Sequence, residues 1–141
     1  MDVAKTGHIL RMIISNINNA ISEKVEPYGI KGGQFEYFLF IYQNEGINQN
    51  QLAKIKNVGK ASVTKAVRIL EENNFVYRNV DENDKRNYKL YASKEGKKYI
   101  NSMLEQRKEM EQVIFESFSE NEKNTLVNLL SRMLKNTEKL L

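Results

Sequence analysis

Residues 48–96 read NQNQLAKIKNVGKASVTKAVRILEENNFVYRNVDENDKRNYKLYASKEG, and within this stretch the spacing of apolar side chains switches from a helical period to a strand period. Leu52 and Ile55 mark one face of a short helix, Gln49 to Ile55, which Asn48 can cap while Gln51 reaches back three residues later. So few apolar positions cannot hold a helix alone, so it must dock on a neighbour. The turn Lys56-Asn57-Val58-Gly59 leads into a helix over Lys60 to Asn73, where Val63, Ala66, Val67 and Leu70 form an inward stripe with Ile69 beside them. Two helices joined by a short glycine-containing turn form a helix-turn-helix. Asn73-Asn74 ends the second helix, because asparagine ranks next to glycine in tolerating the left-handed backbone that such an end often needs. Beyond it the period falls to two. Residues 75–80 and 88–92 are predicted strands of a hairpin, with 81–87 as its polar tip. A hairpin this small is not stable by itself, so it packs on the helices as a wing.

Outward from this module the chain is helical. Residues 5–25 place Ile9, Met12 or Ile13, Ile14, Ile17, Ala20, Ile21 and Val25 near the helical period, and Glu26-Pro27-Tyr28-Gly29 stops them. A helix over 33–44 puts Phe35, Phe38, Leu39 and Tyr42 on one buried stripe. After the wing, a long helix runs from Ser93 to about Ser117 with Tyr99, Ile100, Met103, Leu104, Met110, Val113 and Ile114 on its apolar side. Ser119-Glu120-Asn121-Glu122 is a capping box that starts the last helix, where Leu126, Val127, Leu130, Met133, Leu134 and Leu140 recur.

The fold class expected is mainly α with a small β-hairpin, a winged helix-turn-helix flanked by N- and C-terminal dimerisation helices. The expected division is 1–31 for the first dimerisation helix, 32–96 for the winged helix-turn-helix (second helix 60–73, wing 75–92) and 97–141 for the C-terminal dimerisation helices. The flanking helices carry more apolar surface than so small a module covers, which predicts burial against a second copy of the chain. The alternative is that they close on their own subunit.

The 141 residues, 40% apolar and 28% charged, fit one compact domain or one core with helical extensions. No cysteine is present, which excludes disulfides, thiolate metal ligands and thiol-based redox sensing. The one histidine, His8, is poor support for a zinc site, and no cofactor or metal is expected. No apolar run approaches the roughly 18–20 residues that span a bilayer, and MDVAKTGHIL lacks the basic and apolar regions of a signal peptide, so the cytoplasm is expected and no membrane partner.

Charge is unevenly placed. Residues 47–100 hold 12 basic and 6 acidic side chains, whereas residues 1–46 hold 4 and 5 and residues 101–141 hold 6 and 7. A positive middle between faintly negative flanks suits a module that meets a polyanion, although lysines scattered for solubility would give the same excess.

On the 60–73 helix the face opposite the stripe offers Lys60, Ala61, Ser62, Thr64, Lys65 and Arg68. Hydroxyls and basic groups on a helix fit the major groove, with Ala61 offering a methyl and the helix start favouring phosphate; a merely solvated face is the alternative. In the wing Asp84 and Arg86 are close enough to pair, which would present an ordered arginine to a narrow minor groove, with Lys85 and Asn87 beside it. A soluble turn would look alike. Asn48, Gln49 and Asn50 are placed for phosphate contacts.

These residues resemble the MarR family of bacterial and archaeal transcription regulators. The element order, Asp81-x-x-Asp84-Lys85-Arg86 before a strand, and Ser93-x-x-Gly96 carry the resemblance, which spans nearly the whole chain and is most specific from Leu52 to Gly96. It implies a homodimer whose first and last helices intertwine, a 60–73 helix reading the major groove, and Arg86 entering the minor groove supported by Asp84. It also implies regulation by a small anionic or aromatic ligand in the crevice between the dimer helices and the DNA-binding lobe. Four positions depart from the family pattern. Asn74 stands for the usual glycine and Ser93 for threonine, both keeping the local physics, while Ala92 is smaller than usual and removes volume beneath the wing. Gly59 lacks the usual capping side chain, at a cost of a few tenths of a kcal/mol.

The function expected is sequence-specific binding of a pseudo-palindromic double-stranded DNA operator by a homodimeric repressor that a small ligand releases. The alternative is a helical protein-interaction module that uses the winged fold without DNA. An enzyme has little support, since no nucleophile set and no phosphate-cradling glycine loop is present.

Overall fold

The computed structural model describes residues 2–141. In chain order the elements are α1 (Val3–Val25), a 3-10 turn (Glu26–Tyr28), α2 (Gly32–Gln43), α3 (Gln49–Lys56), α4 (Lys60–Glu72), β1 (Val76–Val80), β2 (Tyr88–Ala92), α5 (Lys94–Ile114), α6 (Glu120–Thr137) and a final 3-10 turn (Glu138–Leu140). Two compact units divide the chain, one through Asn101 and one from Ser102 to Leu141.

In the first unit α2 is the central element, packed on α1, α3, α4 and β2. Its composition explains this, because Phe35, Tyr37, Phe38, Leu39 and Ile41 are all buried, an apolar surface that wraps most of the helix rather than one stripe. Tyr42, expected inside, is 38% exposed, and the wider apolar surface of α2 takes its place. Leu52 of α3, Val63, Val67 and Leu70 of α4, Phe75 and Leu90 complete a core without accessible surface to speak of, each side chain contributing on the order of 1.5–3 kcal/mol. Ile55 departs from expectation: it is 51% exposed, and Ala53 is buried with Leu52 instead. Phe75 meets Phe38 edge to face at 5.0 Å and lies 6.0 Å from Tyr99, ring centre to ring centre.

The hairpin forms with Val76 opposite Ala92 and Val80 opposite Tyr88. Ala92, expected to leave volume beneath the wing, is itself buried there. A third segment, absent from the sequence reading, joins the sheet: Leu90 accepts the Gly46 N–H and donates to the Ile47 carbonyl, both at 2.8 Å. One residue of pairing leaves no alternation to read.

The junctions behave as their residues dictate. Asn74 takes φ 61° and closes α4 into β1, while the Phe75 N–H donates to the Leu70 carbonyl at 2.8 Å. Ser93 Oγ accepts the Gly96 N–H at 2.9 Å and donates to the Asn74 carbonyl, so one hydroxyl starts α5 and ties down the end of α4. Gly96 packs against the Phe75 carbonyl so closely that a Cβ there would lie 2.5 Å from it.

α5 ends at Ile114 rather than near Ser117, where φ of 68° and a Phe118 N–H bond to the Phe115 carbonyl at 3.0 Å tighten the chain. In the second unit α6 begins on the expected capping box. Glu122 donates its N–H to Ser119 Oγ at 3.1 Å, and its carboxylate accepts the Ser119 N–H at 2.9 Å, which holds its carboxyl below the usual glutamate range. No residue of α6 is buried, and Val127 and Leu134 are 56% and 68% exposed. On α1, Ile9, Met12, Ile13 and Ile14 are likewise exposed.

Candidate nucleic-acid interface

The candidate interface is built from α3, α4 and the tip of the hairpin. Asn48 Oδ1 accepts the Gln51 N–H at 2.8 Å and Gln51 Oε1 accepts the Asn48 N–H at 2.9 Å, the reciprocal cap that the sequence suggested. Asn48 and Gln49 are half-buried, and Asn50 is exposed. Asn57 at φ 52° turns the chain back, and its neighbour Val58 donates to the Ala53 carbonyl at 3.1 Å. Gly59 then opens α4 with no side-chain cap, which leaves the first-turn N–H groups of α4 at an exposed end.

With roughly 100° per residue, burial of Val63, Ala66, Val67 and Leu70 points Ala61, Lys65 and Arg68 directly away from the core. Lys60, Ser62 and Thr64 flank that line, and all six are exposed. Thr64 has a structural partner besides: its hydroxyl lies 2.9 Å from Gln49 Oε1 and 3.0 Å from the Lys60 carbonyl, with one proton for the two. Gln49 and Thr64 therefore hold α3 against α4. Arg68 and Glu72 form a loose pair at 3.9 Å, both well solvated.

At the tip Asp81 accepts the Asn83 N–H on its carboxylate at 2.9 Å and the Asp84 N–H on its carbonyl at 3.2 Å. Asp84 in turn accepts the Arg86 N–H at 3.1 Å and lies 3.4 Å from Arg86 Nε, while Asn87 Nδ2 donates to its other oxygen at 3.3 Å. The Arg86 side chain is 93% exposed, and Lys85 beside it is exposed too. Sequence reasoning thus found both the carboxylate and the cation it steers.

It missed the tie between these two parts. Arg78 of β1 donates through Nε to both carboxylate oxygens of Glu71, at 3.0 and 3.1 Å, and this hydrogen bonding raises its pKa above the ordinary arginine value. A signal was present, since Arg78 falls between Val76 and Val80 on the same strand face and a charge there calls for a partner. Lys56 is also absorbed by the fold, 2.8 Å from Glu36 and over the Tyr37 ring at 4.8 Å.

The MarR family model matches residues 31–88, which takes in α2, α3, α4, β1 and the start of β2. Beyond that segment, a MarR transcriptional regulator from Methanosarcina mazei Go1 superposes with a TM-score of 0.87 at 29% identity over 98% of this chain and 99% of that one. The segment 31–88 is of the MarR family. A relative named as an uncharacterized HTH-type transcriptional regulator, YybA of Bacillus subtilis (strain 168), is 29% identical over 91% of this chain and 85% of its own length. The MepR–DNA complex of S. aureus is similar as well, with a TM-score of 0.86 at 26% identity over 94% of this chain and 97% of that one. The proteins that the chain resembles over most of its length are named as transcriptional regulators. Among the described residues no helix is long and apolar enough to cross a membrane.

Proposed function

We propose that the chain is a sequence-specific double-stranded DNA-binding repressor that works as a homodimer in the cytoplasm. The observation that carries this reading is the pairing of two cationic elements in one unit: an α4 face of Ala61, Lys65 and Arg68 turned away from the core, and an Arg86 guanidinium in solvent with its backbone and Nε held by Asp84. α4 supplies the dimensions and donors of a major-groove helix, and Arg86 those of a minor-groove probe. In this reading Lys60 and the uncapped first turn of α4 meet phosphate, as do Asn48, Gln49 and Asn50, with Lys85 and Asn87 supporting Arg86 at the wing. Ser62 and Thr64 stand at the edges of the reading face. That the similar MepR structure is a complex with DNA supports a DNA-binding role.

The homodimer rests on the apolar side chains that α1 and α6 leave exposed, which exceed what a solvated helix face carries. Release by a small anionic or aromatic ligand rests on the family resemblance alone.

Selection of bound duplexes from random DNA tests the reading. It predicts a pseudo-palindromic consensus with half-sites roughly 34–36 Å apart, one helical turn. Recovery of no consensus from protein that is folded would overturn it.

A further inference from the structure

Glu71 lies in the last turn of α4, and Arg78 is the middle residue of β1. Arg78 Nε donates to Glu71 Oε1 and Oε2 at 3.0 and 3.1 Å, and Nη2 donates to Oε1 at 2.5 Å. The same guanidinium stands over the Tyr88 ring, 5.1 Å from its centre, and Tyr88 is the first residue of β2. One arginine therefore spans the proposed reading helix and both strands of the wing. With the two side chains 39% and 27% exposed, this pair is drier than the Arg68–Glu72 pair at 65% and 64%. A fork of donors on one carboxylate fixes orientation as well as distance, which a single lysine contact would not.

Among the described residues no other side chain of α4 is hydrogen-bonded or ion-paired to the hairpin. The other bonds of the strands run between them, to the tip, or to Glu45, Gly46 and Ile47, and at the hairpin base Phe75 is hydrogen-bonded to α4 only through its main chain, at the Leu70 carbonyl. Past Arg78 the strand continues only through Asn79 and Val80, about 7 Å, before the tip that carries Arg86. Small rotations of the hairpin base are therefore carried to Arg86.

We infer that the Glu71–Arg78–Tyr88 brace is a positioning device for DNA recognition: it fixes the angle between α4 and the wing, and so sets where Arg86 meets the duplex. The inference rests on the DNA-binding reading above. Arg78 acts here through Arg86 and makes no contact with DNA.

A double-mutant cycle on the full chain tests it, with dissociation constants on a selected duplex for the unmodified chain, Glu71→Gln, Arg86→Ala and the double variant. Glu71→Gln adds a positive increment, which by long-range attraction alone would tighten binding to a polyanion. The brace predicts the opposite, a loss of roughly tenfold. It further predicts that in the Arg86→Ala background the same change costs less than about twofold, because the residue being positioned is gone. If the two losses multiply, Glu71 acts through fold stability or Arg78 touches the duplex, and the inference falls while DNA binding stands. An unmodified chain that binds no duplex overturns both. Should Glu71→Gln not fold, Arg78→Lys, which keeps the charge over Tyr88 and loses the fork, is read through the same cycle with the same two outcomes.

Discussion

The Asp84 carboxylate accepts the main-chain N–H of Arg86 at 3.1 Å and lies 3.4 Å from its Nε, while the rest of the guanidinium stands in solvent. A pair this exposed contributes little to stability. In the proposed DNA-binding reading its effect is on the bound state, because an arginine already steered by its neighbour loses less freedom when it enters a groove. Arg86→Ala should weaken duplex binding by about 1–3 kcal/mol and erase preference for A·T pairs under the wing, with thermal stability unchanged. Asp84→Asn should weaken binding less, as an amide oxygen still accepts the Arg86 N–H. Fluorescence anisotropy on duplexes that differ only under the wing measures both.

On α4, Lys65→Ala should change which central base pairs are preferred, since Lys65 lies on the outward line of the helix. Thr64→Val should act differently. It breaks the hydroxyl contact with Gln49 Oε1 at 2.9 Å, and so should lower stability slightly and affinity uniformly, with the base preference retained. Parallel selections from random DNA distinguish the two.

Gly96→Ala should destabilise the first unit by about 1–3 kcal/mol, the usual cost of forcing extra volume into a packed site. The obstacle is the Phe75 carbonyl, 2.5 Å from where a Cβ would lie, and backbone yields less readily than a flexible side chain. Ser93→Ala should cost about 1 kcal/mol through loss of a helix cap, whereas Ser93→Thr should be nearly neutral. Denaturant midpoints at constant slope check both.

The Glu122 carboxyl is held below its ordinary value, first by the Ser119 main-chain N–H and then by the Ser119 hydroxyl. A depressed folded-state value means that the cap's ionic contribution is complete above the unfolded carboxyl's pKa, about 4.3, and fades as pH falls through the lower folded value. Acidification below about pH 4.3 should therefore fray the start of α6, and Glu122→Gln should remove that pH dependence while keeping an acceptor for Ser119. Amide exchange of residues 120–123 as a function of pH would show the difference.

The parts legible in the sequence were those written in local patterns. The change of apolar period at Asn73-Asn74 located the hairpin, Asn48 and Ser119 announced their helices, and Asp84 and Arg86 lie two residues apart. What escaped depended on how separate elements pack on one another. Ile47 joins the sheet through Leu90, 43 positions on, by bonds that any residue makes with its backbone. Tyr42 and Ile55 had helical spacing consistent with burial, but α2 and α3 bury Tyr37 and Ala53 instead, since packing against neighbouring helices chooses the face. Glu71 and Arg78 lie on different elements, and only the fold brings them together.

The salt dependence of binding to a selected duplex decides whether the cationic face meets DNA, because each lysine or arginine that meets a phosphate releases counterions. Affinity should fall at least tenfold between 50 and 200 mM salt, roughly the loss expected from a few phosphate contacts, for a complex of two chains on one pseudo-palindromic duplex. A flat response across that range, or one chain bound per duplex at saturation, would contradict the proposed function.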